Sequence, residues 1–246
     1  MGEILDGDVA IVTGGVRNIG FEISQQFVDN GAQVAIVHRD KHVATEAAAE
    51  IAPGAGNAIG VAADISEPAE VRAMVETTET ELGPVDILVN NAAISDRSQF
   101  LDLDVDRFDQ ILSVNVRGTF LCTQAVARSM KESGGGRIIN VSSTSAHSGR
   151  PNATAYATSK SAILNFTRSV AKALAEYDIR VNTLSPTRTG SRVGEATERP
   201  DEVPDDILAG RWGTPRDQAN AALFLADPEN DFVTGTEILV DGGSSA

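Results

Sequence analysis

The sequence predicts an α/β chain folded as one doubly wound parallel sheet with helices on both faces, and three observations carry that expectation. Short apolar runs bounded by glycine or polar residues alternate with longer amphipathic stretches, giving seven strand-like segments separated by helix-like ones. The first run opens directly into a glycine-rich turn and then a helical pattern, the arrangement that aims a helix N-terminus at a phosphate. Hydrophobic residues make up 41% of the 246 positions but aromatic ones only 4%, so the core is aliphatic, as suits strands buried on both faces.

Taken in order, Asp8-Val-Ala-Ile-Val-Thr13 reads as the first buried strand. The turn Thr13-Gly-Gly-Val-Arg-Asn-Ile-Gly20 follows, then a helix over 21–28 that Gly31 stops, then a strand over 33–37. Strand, glycine turn, helix and strand together form a mononucleotide-binding unit. Helix is expected over 42–51, strand over 57–62, helix over 67–82, and strand over 86–89 leading into Asn90-Asn-Ala-Ala93. One long helix is expected over 104–132, closed by Gly134-Gly-Gly136. A strand over 137–141, a helix over 153–177 and a strand over 179–184 come next. A polar, proline-containing loop spans about 186–210, before a helix over 215–226 and a strand over 237–240 that ends at Asp241-Gly-Gly243. No repeat, low-complexity tract or linker interrupts this, so residues 1–246 are expected to form a single domain.

Twenty basic against 35 acidic residues give a formal net charge of −15, which argues against nucleic acid or an anionic membrane as partner. No apolar run approaches the roughly 20 residues of a membrane span, and no basic-then-apolar leader opens the chain; a soluble, cytoplasmic protein is expected. Cys122 is the only cysteine, so it forms no intrachain disulfide; within Phe120-Leu-Cys-Thr it reads as a buried structural thiol. No metal site is expected. Of the histidines, His38 ends the second strand, His42 begins an exposed helix, and only His147 is placed to line a substrate pocket.

Chemistry concentrates in Tyr156-Ala-Thr-Ser-Lys160, where i, i+4 spacing puts phenol and ammonium on one helix face. An unperturbed phenol titrates near about 10, and a neighbouring cation favours phenolate, which makes a proton donor and acceptor usable near neutral pH. A hydroxyl at Ser143 is placed to hold a carbonyl oxygen against that phenol.

With these motifs in order, the chain resembles the short-chain dehydrogenase/reductase family over nearly its whole length. The family's Thr-Gly-x-x-x-Gly-x-Gly corresponds to Thr13–Gly20, its Asn-Asn-Ala-Gly to Asn90–Ala93, and its asparagine to Asn115 in Val-Asn-Val-Arg-Gly118. Its serine matches Ser143, and its Tyr-x-x-x-Lys matches Tyr156 and Lys160. The C-terminal Arg211-Trp-Gly-Thr-Pro215 and Val240-Asp-Gly-Gly243 most resemble bacterial 3-oxoacyl-acyl-carrier-protein reductases and related ketoreductases. The resemblance implies a Rossmann-type catalytic domain, a secondary alcohol or ketone as substrate, and four catalytic residues. Tyr156 would be the general acid, Lys160 would lower its pKa and bond the nicotinamide ribose, Ser143 would polarise the carbonyl, and Asn115 would hold a proton-relaying water. Cofactor contacts are implied at Gly14, Arg17, Asn18, Ile19, Gly20, His38, Arg39, Asp64, Ile65, Asn91, Ala92, Tyr156, Lys160, Pro186, Thr187 and Ser191. Three positions depart from the pattern: Asn18, Ala93 and Thr187 replace family glycines, and Asn18 is the non-glycine type best able to take positive φ.

The expected cofactor is NADP(H), with NAD as the alternative. Where NAD enzymes place a carboxylate at the end of the second strand, this chain has His38, followed by Arg39; Arg17 lies within the glycine turn. Guanidinium groups fork onto a 2′-phosphate, although Asp40 offers Arg39 a neighbouring partner and is itself within reach of a ribose. The resemblance implies a homotetramer, or else a dimer, built on the 104–132 and 153–177 helices, which carry apolar residues such as Ile111, Phe120, Val126, Phe166 and Val170 on more than one face. Arg128 and Lys172 match positions that carrier-protein reductases present to an acidic carrier, but a net charge of −15 disfavours that partner. The alternatives are an NAD-dependent alcohol or polyol dehydrogenase of the same family, or a non-catalytic NAD(P)-binding regulator. An enoyl reductase is disfavoured because such enzymes space tyrosine and lysine further apart.

Overall fold

The computed structural model describes residues 3–54, 56–187, 189 and 202–246. Its strands are β1 (Val9–Thr13), β2 (Gln33–His38), β3 (Ala58–Ala62), β4 (Ile87–Asn90), β5 (Gly136–Val141), β6 (Ile179–Pro186) and β7 (Glu237–Val240). They form one parallel sheet in the order β3-β2-β1-β4-β5-β6-β7. The order reverses between β1 and β4, the switch point at which sheets of this kind bind ligands beyond the carboxyl ends of the strands.

The helices are α1 (Asn18–Val28), α2 (Lys41–Ile51), α3 (Pro68–Glu81), α4 (Val105–Leu112), α5 (Thr119–Ser133), the single turn α6 (Ser145–Ser148), α7 (Thr154–Leu174) and α8 (Pro215–Ala226). Successive strand residues point to opposite faces, so the aliphatic runs make two cores. Ala10, Val12, Val34, Ile36, Val89 and Ile139 pack under α1, α2 and α8 through Ile23, Phe27, Ile51 and Leu225. Ile11, Ala35, Val37, Leu88 and Ile138 pack under α3, α5 and α7 through Met74, Cys122, Val126 and Ala171. Burial pushes the Cys122 thiol up to about 12, so it behaves as an inert hydrophobe.

The expected strands and helices are found, with boundaries shifted by a few residues. One departs in kind: the single helix expected over 104–132 is α4 and α5 joined by a π-helical turn, Ser113–Gly118. A 3.6-residue periodicity cannot reveal one inserted residue. Contact explains the site of the turn: a Cβ at Gly118 would lie 2.8 Å from Ile65 Cδ1, so the chain there presses against the turn after β3. The turn α6 and the 3-10 turn Phe100–Asp102 were not expected from sequence. Most of the loop expected over 186–210 is not described: Arg188, Ser191, Arg192, Glu195, Glu198 and Asp201 lie outside the described residues.

Candidate active site

β1 ends at Thr13, whose hydroxyl donates to the Val89 carbonyl and accepts from the backbone N–H groups of Asn91 and Ala92. The Asn91 amide donates to the carbonyls of Thr13 and Gly14 at 3.0 and 3.1 Å, so it holds the glycine turn in place from β4. Gly14 has φ +65°, and a Cβ on Gly20 would fall 2.4 Å from the Gly14 carbonyl oxygen, so neither position accepts a side chain without a shift. Asn18 has φ +50°; among the described residues only it and Asp178 are non-glycines in that region, which answers the departure from the glycine pattern.

Two observations suit this turn to a pyrophosphate. α1 opens at Arg17 with no side-chain cap, leaving its first N–H groups unclaimed by side chains, and no acid stands in its first turn. At the end of β2, Nδ1 of His38 accepts from the Asp40 N–H at 3.1 Å, and the Asp40 carboxylate caps α2 through the N–H groups of His42 and Val43. One carboxylate oxygen of Asp40 is therefore engaged, while Arg39 and Arg17 are exposed cations at the ends of β2 and β1. After β3, Asp64 accepts from the backbone and hydroxyl of Ser66; those bonds and the Arg39 charge hold its carboxyl low against burial. Ile65 packs against Gly118.

The four residues expected to be catalytic are all buried, Ser143 just past β5, Tyr156 and Lys160 in the first turns of α7 and Asn115 in the π-helical turn: Asn115 is 1% exposed, Ser143 9%, Tyr156 6% and Lys160 3%. The Ser143 side chain is close enough to the Tyr156 phenol to pull its pKa down, while its hydroxyl donates to the Ser145 hydroxyl and accepts from the Ser145 N–H, each at 3.2 Å. Lys160 Nζ lies 5.7 Å from the Tyr156 ring centroid and donates to the Val141 carbonyl at 2.7 Å. The electrostatics differ from the sequence expectation. Burial pushes the phenol above its usual value, and Ser143 and the exposed Arg150 cation pull it down without prevailing. Burial also brings the Lys160 ammonium down to about 8. The neighbouring cation that was to favour phenolate is thus itself desolvated and bonded to backbone, and the phenol of this chain stays a proton donor at neutral pH.

Asn115 lies in the π-helical turn. Its Oδ1 accepts from the Ile94 N–H, and its Nδ2 donates to the Ile94 carbonyl and the Ser159 hydroxyl, each at 2.9 Å. Thr187, past the end of β6, takes a bond at 3.0 Å from the Thr144 hydroxyl, which ties the strand ends flanking Ser143 together. His147 meets Glu237 at 2.8 Å, so its ring is drawn toward β7. Sequence reading missed a buried polar row beneath the site. Asn90 donates to Thr123 and Asn140, while Asn140 and Thr183 donate to Thr167, joining β4, β5 and β6 to α5 and α7. It also missed Asp96, a 3% exposed carboxylate bonded to the start of α7, for which no local pattern exists. A groove of about 490 Å³ lined by Ser145, Arg150, Thr154, Thr158 and Ser161 lies along α7 positions other than those of Tyr156 and Lys160.

Known proteins match this arrangement end to end. A family model described as enoyl-(acyl carrier protein) reductase matches residues 14–245. The chain is 40% identical over 248 residues to a 3alpha-hydroxysteroid dehydrogenase of Mediterraneibacter gnavus, covering 98% of each chain. Among solved structures, a 3-ketoacyl-(acyl-carrier-protein) reductase of Brucella melitensis complexed with NADH is 38% identical at TM-score 0.91, with 98% and 100% of the two chains covered. A gluconate 5-dehydrogenase of Burkholderia cenocepacia in complex with NADP and tartrate is 33% identical at TM-score 0.92, with 99% and 97% covered. The chain, with its glycine turn at the switch point of a parallel sheet, belongs to the short-chain dehydrogenase/reductase family of oxidoreductases.

Proposed function

We propose that this protein is an NADP(H)-dependent dehydrogenase/reductase that interconverts a ketone and a secondary alcohol, with Tyr156 as general acid and base. The observation that carries the reading is the buried Tyr156 phenol with Ser143 beside it and a buried Lys160 one helical turn along. Bound beside this group, a nicotinamide supplies or accepts a hydride at the carbinol carbon. The chain's own part is to hold the oxygen and move a proton. Ser143 hydrogen-bonds the carbonyl oxygen and orients it toward the phenol. Tyr156, kept protonated by its burial, delivers its proton to that oxygen as charge develops there, and takes it back in the reverse direction. Lys160, whose ammonium is brought down to about 8, is positioned to bond the ribose and to return a proton to the phenol. Asn115 acts by fixing the loop at Ile94 and the helix at Ser159.

For the cofactor, the uncapped start of α1 and the turn Gly14–Gly20 suit the pyrophosphate, and Asp64, Ile65, Asn91 and Ala92 are the residues we assign to the adenosine side. Arg39 and Arg17 favour a 2′-phosphate, and Asp40 has one carboxylate oxygen engaged in capping α2. Loss of one charge-assisted phosphate contact costs roughly 1.5–3 kcal/mol, so Arg39→Ala is expected to raise KM for NADPH more than about tenfold and barely affect NADH. Steady-state kinetics with both nucleotides on a panel of β-keto esters, cyclic ketones, hydroxysteroids and sugar acids tests this. A wild-type kcat/KM higher for NADH than for NADPH overturns the cofactor choice. Tyr156→Phe retaining turnover within about tenfold of wild type overturns the chemistry, since general acid–base catalysis contributes roughly 10²–10⁴-fold.

A further inference from the structure

We infer that Asp96 is a positioning residue for Tyr156, holding the proton donor in place through its backbone; the inference rests on Tyr156 being the proton donor. Tyr156 is the third residue of α7, in the first turn, where a helix has no N–H partners of its own and frays most readily. The residue at the helix's own capping position is Ala153, which has no side-chain acceptor. Asp96 takes over from 60 positions away: its two carboxylate oxygens accept from Tyr156 N–H at 3.0 Å and Ala155 N–H at 3.3 Å. A carboxylate is also the group that a helix N-terminus stabilises best.

The other side of the same residue's backbone is held too. The Ser159 hydroxyl donates to the Tyr156 carbonyl at 2.7 Å and accepts from Asn115 Nδ2 at 2.9 Å. Asn115 in turn grips Ile94, two residues before Asp96, by both N–H and carbonyl. Between them, the Ser95 carbonyl takes a bond from the Arg107 guanidinium of α4. Tyr156 is thus fixed at its N–H by Asp96 and at its carbonyl by Ser159, and both grips refer back to Asn115. Nothing in this arrangement touches the reacting atoms; it sets where the phenol is. Misplacing a reacting group by about 1 Å is enough to cost on the order of 10²-fold in rate.

The carboxylate has a second consequence. Lys160 on α7, 5.7 Å from the ring centroid, and Arg150 on the preceding loop are cations near the phenol. Asp96 is the negative charge at the N-terminal turn opposing them, so removing it favours phenolate.

The test uses Asp96→Ala and Asp96→Asn in the whole chain, beside Tyr156→Phe. Asp96→Ala is expected to lower kcat by about tenfold or more while KM for the nucleotide stays within about threefold, because the nucleotide is held elsewhere. Asp96→Asn keeps an acceptor for the Tyr156 N–H and should recover kcat to within about threefold of wild type. The chain has two tyrosines, so phenolate absorbance in a Tyr177→Phe background reports Tyr156 alone and needs no substrate. There Asp96→Asn should move the titration midpoint to lower pH. A folded Asp96→Ala variant turning over within about fivefold of wild type overturns the inference. Should Asp96→Ala fail to fold, an unmoved phenol midpoint in Asp96→Asn overturns it and a lowered one supports it. Tyr156→Phe separates the two readings. If it is inactive while Asp96→Ala runs normally, only the positioning role falls; if it stays active, the proposed chemistry falls.

Discussion

Lys160 shows how far a residue's surroundings can reverse its expected role. Its spacing from Tyr156 was legible in sequence, but the direction of the phenol's shift was not, because desolvation belongs to the folded pocket and not to the helix. The shift of Lys160 itself has a measurable sign. Its folded pKa is about 8 against 10.5 when unperturbed, so between those values the unfolded chain binds more protons, and stability rises with pH there. The cost of burying the charge is full below about 8 and is relieved above it. Wild type should therefore gain on Lys160→Met between pH 7.5 and 9.5, by about 1–2 kcal/mol in urea unfolding. That window stays below the titration of the phenol, which burial holds above 10. A gap constant across the window would contradict the buried ammonium. Asn18 carries the second prediction at this scale. Its φ of +50° strains a β-branched side chain, so Asn18→Val should cost about 1–2 kcal/mol while Asn18→Gly stays within about 0.5. Equal stabilities for the two variants would sink it.

Elements are tied together at the amino ends of the strands by one half-buried pair. Arg137, at the start of β5, donates to Asp8 at 2.7 and 2.9 Å and to the Ala226 carbonyl at 2.9 Å, joining β1, β5 and the end of α8. Its side chain is 9% exposed, so removing it leaves a poorly solvated carboxylate and an unpaired helix carbonyl. Arg137→Ala is expected to cost about 3–5 kcal/mol, and the Asp8→Ala, Arg137→Ala pair to fall well short of additive. Measured losses that simply add would show that the two do not act together. At the opposite ends of the strands the decisive element is the π-helical turn Ser113–Gly118. It delivers Asn115 to Ile94 and Ser159, which a straight helix with the same residues would rotate away.

For the whole molecule the open question is assembly. No helix among the described residues is long and apolar enough to cross a membrane. Large apolar side chains nevertheless stay exposed in two regions. Phe100 at 68%, Leu101 at 93%, Val105 at 71% and Phe120 at 44% lie around α4 and α5, and Phe224 at 44%, Phe232 at 102% and Leu239 at 43% lie around α8 and β7. These exposed apolar patches are the surfaces on which copies of the chain can meet. A homotetramer is expected, two regions allowing two kinds of contact, with a dimer if only one is used. Light scattering at micromolar concentration checks this, and a monomeric mass refutes it. Arg128 and Lys172 are both exposed, but the formal net charge of −15 still argues against an acidic carrier partner.

By itself the sequence determined the order of strands and helices, the glycine turn after β1 and the placing of Tyr156 and Lys160 on one helix face. All three are local: a two- or 3.6-residue period, or a glycine where φ turns positive, is written within a few positions of where it acts. Only the tertiary structure decided that Asp40 caps α2, that a π turn aims Asn115, that Asp96 reaches α7, and that the phenol is pushed up rather than down. The periodicity of 104–132 is the same whether or not a residue is inserted into the turn, and a cap supplied from 60 positions away leaves no pattern to read. Desolvation depends on what covers a group, and that is settled only when α7, β5 and the 91–99 segment close around it.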